Sequence, residues 1–117
     1  MIPVVLFILF IHWLADFVLQ TDHQATTKSK NLKALFTHTS IYSLCWFSLW
    51  PVLKMNTLAF IGITFLAHTL TDFFTSRLNA RFRHEKKERE FFISIGFDQL
   101  LHYAQLILTF TYLNEPD

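Results

Sequence analysis

Residues 57–74 read TLAFIGITFLAHTLTDFF, an apolar run whose only titratable side chains are His68 and Asp72. About 20 predominantly apolar residues span the hydrocarbon core of a bilayer as an α-helix. Lys, Arg and Glu are absent from the run, whereas a helix of a soluble bundle carries charge along its outer face. The stretch therefore predicts a membrane-spanning helix that carries one histidine and one aspartate.

Three further runs of the same character occupy residues 2–19, 36–53 and 91–113. Together with 57–74 they predict an all-α membrane protein, a four-transmembrane-helix bundle that forms a single integral membrane domain over residues 1–117. Charged residues make up 16% of the chain, against about 25% in an average soluble domain. The single cysteine excludes an intramolecular disulfide and a cysteine-based zinc motif.

Basic residues are concentrated in the two connections that follow the first and the third predicted spans. Nine of the ten Lys and Arg residues lie there, and the exception is Lys54, in the tight turn between the second and third spans. Short loops rich in Lys and Arg stay on the cytoplasmic side of a membrane. We therefore expect both basic loops to be cytoplasmic and both termini to lie outside.

Three of the predicted spans carry a histidine and an aspartate four residues apart, a spacing that places both on one helix face. In chain order these pairs are His12 with Asp16, His68 with Asp72, and Asp98 with His102. The order is reversed in the last pair, whose helix runs antiparallel to the other two, so each aspartate lies nearer the cytoplasm. The second span adds His38 near its cytoplasmic end. We expect all seven side chains to converge at one depth.

An aspartate at the centre of a membrane helix costs about 2.5 to 3.5 kcal/mol on insertion scales. Imidazole and carboxylate ligands together suit Zn²⁺, Mn²⁺ or Fe²⁺, and seven ligands exceed what one tetrahedral ion needs. We therefore expect a divalent transition-metal site with one or two ions in the cytoplasmic half of the bundle. Two other interpretations stay open: a proton or ion pathway without a fixed metal, and a structural polar network.

Further polar residues near the cytoplasmic side are candidates for contact with a substrate. Gln20 and Gln99 are predicted to orient it, as the candidate catalytic residues beside the metal ligands. Four basic side chains are predicted to hold a phosphate or a lipid head group. They are Lys28, Lys30, Lys33 and Arg77.

These features predict a membrane-embedded, metal-dependent hydrolase that acts on a phosphate- or lipid-like substrate from the cytoplasmic leaflet. The alternatives are a cation or proton transport or channel subunit, and a non-catalytic membrane partner with a structural polar core. The expected partners are the lipid bilayer, an anionic lipid or phosphate substrate, and a second copy of the chain if it forms a homo-oligomer. Nucleic acid is not needed to explain the basic loops, which suit anionic lipid.

A short internal similarity links the first and third spans. Residues 12–17 read HWLADF and residues 68–73 read HTLTDF, and each stretch is followed by a basic loop and another helix that bears a histidine. The pattern predicts two pseudo-repeated helical hairpins related by an axis along the membrane normal. Because the match covers six residues, chance similarity stays open.

The chain resembles a bacterial membrane family known as domain of unknown function 3307 (DUF3307). Four stretches carry the resemblance: HWLADFVLQ at 12–20, KSKNLKAL at 28–35 with the following His38, HxxxD at 68–72 and DQxxH at 98–102. It extends over nearly the whole chain and implies the same fold, the same site residues and a bacterial inner-membrane location. The family name carries no established activity. The pattern is more distantly similar to small bacterial membrane proteins described as metal-dependent hydrolases.

Overall fold

The computed structural model describes residues 2–114, and all regular secondary structure in that range is helical. A π-helical segment, Leu14–Val18, continues the first helix, and a 3₁₀ segment, Cys45–Leu49, joins the third helix to the fourth. The predicted all-α class is thereby confirmed. The six α-helices are α1 (Ile2–Trp13), α2 (Asp22–Thr27), α3 (Leu32–Leu44), α4 (Trp50–Leu53), α5 (Asn56–His84) and α6 (Glu88–Leu113).

Two helices in the described range, α5 and α6, are long and apolar enough to cross a membrane. Their 29 and 26 residues correspond to roughly 43 and 39 Å at 1.5 Å per residue, which exceeds a hydrocarbon core of about 30 Å. The first apolar segment, Ile2–Val18, is shorter, and the second predicted span is divided among α3, the 3₁₀ segment and α4. Length and composition therefore support two of the four predicted spans.

Helix ends differ from the ends of the apolar runs. Helix α3 begins at Leu32, four residues before the run at 36–53, because the Asn31 side chain caps it by accepting a 2.8 Å hydrogen bond from the Lys33 N–H. Helix α5 continues ten residues beyond the run at 57–74 and ends at His84. The apolar pattern thus marks the part of each helix that suits a membrane, whereas polar residues extend the helices beyond it.

The short helix α2 lies in the first basic connection, which the sequence analysis treated as a loop. A capping box forms its N-terminus: the Gln24 N–H donates to Thr21 Oγ1 at 3.1 Å, and the Thr21 N–H donates to Gln24 Oε1 at 3.3 Å. The Thr-x-x-Gln spacing is a recognised sequence signature of a helix start. Helix α2 packs against α3 and ends next to Lys28.

Helix α5 is the centre of the bundle, since it packs against both α3 and α6, while α1 packs against α6. The described core has two chemically distinct halves. One half is an apolar cluster that includes Trp46, Phe60 and Phe110. In the other half the buried side chains are mostly polar, with His68 and Asp72 on α5 as examples. This polar half contains the candidate site.

Candidate metal centre

Asp16 reaches the core from a π-helical turn rather than from a regular α-helix. The segment Leu14–Val18 is closed by an i→i+5 hydrogen bond from the Leu19 N–H to the Leu14 carbonyl at 2.9 Å. Single π-turns of this kind are frequent at functional sites. The wider turn buries Asp16 as well as His12 one turn earlier, so the residue that helical spacing predicted to face inward does so.

The remaining polar groups lie on regular α-helices and are buried in the same half of the bundle. On α6, Ser94, Asp98 and His102 are buried at intervals of four residues. On α5, His68 and Asp72 are buried at the same interval, and His38 is buried on α3. Side chains four residues apart share one helix face, which explains how the spacing seen in the sequence produces a single buried cluster.

Four of these side chains form the tightest group: Asp16, His38, His68 and Asp72. The Nε2 atoms of His38 and His68 lie 3.3 Å apart. The Nε2 of His38 is 3.0 Å from Asp16 Oδ1 and 3.4 Å from Asp72 Oδ2, and the Nε2 of His68 is 3.6 Å and 3.3 Å from the same two oxygens. Ligand atoms about 2.0–2.1 Å from a tetrahedral ion are separated by about 3.3–3.4 Å. Five of the six separations among the four ligand atoms are therefore close to those of a tetrahedral site with two imidazole and two carboxylate ligands, and we call these four residues the tetrahedral group.

A second group adjoins the first and contains Asp16, Asp98 and His102, which offer ligand atoms within 4.8 Å of one another. The Nε2 of His102 lies 3.2 Å from Asp98 Oδ1 and 3.3 Å from Asp72 Oδ1. The Thr75 hydroxyl also hydrogen-bonds to Asp98 Oδ1. Six of the seven predicted metal ligands therefore belong to one of the two groups.

The seventh predicted ligand, His12, lies beside the two groups. Its Nδ1 is 2.7 Å from the Tyr42 hydroxyl and its Nε2 is 2.7 Å from Gln99 Oε1. An amide oxygen can only accept, so the Nε2 of a neutral His12 carries the proton and its Nδ1 accepts from Tyr42. Both ring nitrogens are thus engaged, and the structure places His12 as a support of the cluster, 3.7 Å from Asp16 Oδ2.

Gln99 connects this support to both groups. Its amide nitrogen donates to Asp16 Oδ2 at 3.3 Å and to Asp98 Oδ2 at 3.1 Å, while its oxygen accepts from His12. The three contacts therefore restrain the side chains of Asp16, Asp98 and His12. Gln99 also lines the adjoining cavity, as does Gln20, so both predicted substrate-orienting residues lie where a substrate has access.

Lys28 is the basic residue closest to the carboxylates. Its Nζ lies 3.0 Å from Asp72 Oδ2, and the lysine side chain is only 15% exposed. Burial lowers the pKa of Lys28, but the neighbouring carboxylates of Asp72 and Asp16 outweigh this effect and raise the pKa above its ordinary value. The lysine is therefore a fixed positive charge at neutral pH.

The buried carboxylates of the cluster outnumber the one lysine that pairs with them. Asp16, Asp72 and Asp98 are buried, and Lys28 is the one Lys or Arg side chain paired with them in the described range. With ionised carboxylates and neutral histidines, the cluster has a net charge of −2. Uncompensated buried charge is strongly unfavourable. One divalent cation would neutralise it, as would protonation of two of the histidines.

A cavity of about 770 Å³ adjoins the cluster, within the usual size range of ligand pockets, about 300–1,000 Å³. Asp16 and Asp98 contribute to its wall. Lys33, in contrast, is exposed on α3 and does not line the cavity. The five Lys and Arg side chains that line it are Lys28, Lys30, Arg77, Arg81 and Arg83.

Sequence reasoning did not identify three residues at this site. Arg81 and Arg83 line the cavity, whereas the basic residues of their loop were expected only to suit anionic lipid. Thr75 contacts Asp98, and its position three residues after Asp72 on the same helix face was an available signal. The tertiary structure thus extends the predicted basic surface toward the end of α5.

Comparison with known proteins gives one match. A family model described as "Protein of unknown function (DUF3307)" matches residues 4–116. No curated protein and no solved structure matches the chain. The match agrees with the resemblance noted from the sequence motifs, and it covers the helices that supply the site.

Proposed function

Since the chain belongs to the DUF3307 family, whose description assigns no activity, we propose its function from the site: a membrane-embedded, metal-dependent hydrolase of phosphate- or lipid-like substrates. The observation that carries the proposal is the tetrahedral group of two imidazole nitrogens and two carboxylate oxygens next to a cavity lined by five basic side chains. Metal ligands next to basic residues suit the hydrolysis of a phosphate ester, since both stabilise charge on phosphate oxygens.

The distribution of side chains supports a four-span bundle in a membrane. Among the described residues, 15 polar or charged side chains are buried against 12 hydrophobic ones, while 31 large hydrophobic side chains are exposed. The exposed set includes Leu6 on α1, Leu44 on α3, Leu66 on α5 and Leu108 on α6. Soluble monomers rarely expose apolar patches larger than a few hundred Å². We infer that lipid covers this surface, in a bacterial inner membrane with the basic loops on the cytoplasmic side.

The donor set defines which ions fit the tetrahedral group. Two imidazoles with two carboxylates suit Zn²⁺, Mn²⁺ or Fe²⁺ better than a soft ion that prefers sulfur ligands. Because four protein ligands fill a tetrahedral ion, a bound ion would act mainly by polarising a phosphoryl oxygen that enters as a fifth ligand. Asp16, His38, His68 and Asp72 would hold it, with His12 and Gln99 restraining the neighbouring carboxylate.

The cavity side chains would bind and orient the substrate. Lys30, Arg77 and Arg81 line the same cavity as Asp16 and Asp98. Cationic side chains form strong charge-assisted hydrogen bonds to phosphate oxygens. A phosphate group held by them would therefore lie between the basic residues and the metal ligands.

The transport alternative is less well supported by the structure. The half of the bundle remote from the basic loops contains an apolar cluster that includes Leu49, Leu53 and Phe60, and the buried polar side chains there, such as Thr57 and Thr64, are uncharged. Ion pathways through membranes are lined by polar or ionisable groups. A site that is polar on one side and closed by apolar packing on the other suits a substrate that arrives and leaves from the same leaflet.

Metal analysis combined with a hydrolysis assay tests the proposal. Protein purified in detergent should contain about one or two divalent transition-metal ions per chain and should hydrolyse a member of a panel of phosphomonoesters, phosphodiesters and lipid phosphates. Chelation should abolish hydrolysis, and added metal should restore it. Asp72→Asn should lose both metal and activity, whereas the matched control Asp22→Asn, at an exposed position on α2, should keep both.

The cavity gives a separate test of the substrate class. Lys30→Gln and Arg81→Gln should each raise the KM for a phosphate substrate about tenfold or more, since each removes a charge-assisted contact worth about 1.5–3 kcal/mol. Arg89→Gln, exposed at the start of α6 and outside the cavity, should leave KM unchanged. Full metal content and stability without any hydrolysis across the panel would contradict the enzyme assignment and favour a non-catalytic role.

A further inference from the structure

We propose that the centre holds two divalent ions and that the carboxylate of Asp72 bridges them. The proposal rests on the metal site proposed above and assigns a second ion to His102, Asp98 and Asp16. The first ion would lie in the tetrahedral group that includes His68.

Asp72 presents one oxygen to each position. Its Oδ2 lies 3.3 Å from the Nε2 of His68, and its Oδ1 lies 3.3 Å from the Nε2 of His102. Both distances match the separation of neighbouring ligands around one ion, about 3.3–3.4 Å. The two oxygens of a single carboxylate are thus equivalent partners of two different histidines, which is the arrangement of a bridging ligand.

The two histidine rings are held side by side. The imidazoles of His68 and His102 are stacked with their centroids 4.1 Å apart and their planes inclined by only 15°. Ions bound at the Nε2 atoms of two nearly parallel rings are separated by about the same distance as the rings. Two-metal sites of hydrolytic enzymes place their ions about 3.5–4 Å apart, so the stacking distance fits a pair of ions.

Asp98 and Asp16 complete the second position. Asp98 Oδ1 lies 3.2 Å from the Nε2 of His102, and Asp16 offers a ligand atom within 4.8 Å of both. The second position therefore has one imidazole and up to three carboxylates. Carboxylate-rich sites favour harder ions such as Mn²⁺ and Mg²⁺, whereas imidazole suits Zn²⁺ and Fe²⁺. We therefore expect the His102 position to accept Mn²⁺ more readily than the His68 position does.

The net charge of the site with two ions bound would favour an anionic substrate. The three carboxylates and Lys28 carry a net charge of −2 when the histidines are neutral, so one divalent ion leaves the site neutral. A second ion makes it positive by two charges, opposite to a phosphate dianion. The basic side chains on the cavity wall, which include Arg77, also attract a phosphate dianion.

Binding of Mn²⁺ to metal-stripped protein in detergent tests the assignment, with paramagnetic resonance as the readout. Wild-type protein should bind about two Mn²⁺ per chain and show the spin-coupled signal expected of ions about 4 Å apart. Asp98→Asn and His102→Gln should each bind one ion with an uncoupled signal. Asp22→Asn, on the exposed face of α2, should behave as wild type.

The possible outcomes separate this proposal from the hydrolase proposal. One uncoupled ion in wild-type protein that His68→Ala removes and Asp98→Asn leaves in place would overturn the second ion alone. Absence of bound metal in the folded wild-type protein would overturn the metal site itself. Circular dichroism of each variant establishes that it is folded, and the wild-type stoichiometry decides the question even if a variant does not fold.

Discussion

The Nε2 atoms of His38 and His68 face each other at 3.3 Å in the buried centre of the bundle. Each also faces the same two oxygens, Oδ1 of Asp16 and Oδ2 of Asp72. Two ring nitrogens at this distance share either one proton or one cation, because two N–H groups pointed at each other would repel. Their common surroundings of carboxylate oxygen favour a positive charge at this position, and the metal site proposed above would supply it.

Removal of either histidine should abolish stabilisation by metal. In metal-stripped protein, Zn²⁺ at a hundred times its dissociation constant should stabilise the fold by about 2.7 kcal/mol. His38→Ala and His68→Ala should each lose this gain, and the double variant should lose no more, since both remove the same site. Thermal unfolding in detergent measures the effect. His23→Ala, at an exposed histidine on α2, should retain it, and retention by His68→Ala would contradict the tetrahedral group.

Tyr42 should affect the metal affinity of the site without binding the metal itself. Its hydroxyl donates to His12, and its ring stacks on His68 with centroids 3.8 Å apart. Tyr42→Phe keeps the stacking and removes the hydrogen bond to His12, which is not a ligand, so metal affinity should fall by up to about tenfold, the lower end of the effect of groups that orient ligands directly. Isothermal titration with Zn²⁺ measures this. Tyr112→Phe, on an exposed side chain of α6, is the control, and an equal loss in both variants would point to a general packing effect.

Lys28 should compete with metal for Asp72. Its ammonium group lies 3.0 Å from Asp72 Oδ2, an oxygen of the tetrahedral group. Lys28→Met leaves a buried carboxylate without this partner, so metal-stripped protein should lose about 3 kcal/mol of stability. Added Zn²⁺ should then stabilise the variant more than wild type, because the ion replaces the lost charge.

Comparison of the free energy of unfolding with and without Zn²⁺ checks the Lys28 prediction. Lys33→Met, at an exposed position on the same side of the bundle, should match wild type in both conditions. A metal-stripped Lys28→Met protein as stable as wild type would show that the ion pair does not compensate Asp72.

Two turns provide a matched test of membrane topology. Lys54 and Lys86 both occupy exposed turns with positive φ, 53° and 58°, at opposite ends of α5. After replacement of the single cysteine by Cys45→Ser, Lys54→Cys should react with an impermeant maleimide on intact cells. Lys86→Cys should react only after the membrane is opened, because its loop is cytoplasmic under the positive-inside rule. Labelling in the reverse pattern would contradict the orientation with both termini outside.

Much of the site was predictable because helical spacing is a strong constraint. The intervals His68–Asp72 and Asp98–His102 place each pair on one face, and these faces were expected to be buried because an aspartate exposed to lipid is costly. The role of His12 was not predictable in the same way. Its spacing from Asp16 equals that of the other pairs, yet its ring nitrogens bond to Tyr42 and Gln99, which come from other helices.

The fold, like the site, was predictable only in part. Apolar runs without Lys, Arg or Glu predicted helices in four regions, and helices occupy all four. Three details depend on local hydrogen bonds that hydropathy does not report: the π-turn at Leu14–Val18, the 3₁₀ segment at Cys45–Leu49 and helix α2. Of these, α2 had a readable signal in its capping box.

The sequence by itself determined that this chain is helical, that its basic residues lie in two connections and that histidines and aspartates share helix faces. These properties depend on composition and on the 3.6-residue period, both of which are local. Only the tertiary structure decided which atoms meet: that Asp72 faces His68 with one oxygen and His102 with the other. Helix packing and side-chain rotamers set such distances to within an ångström, and neither can be read from spacing along one helix.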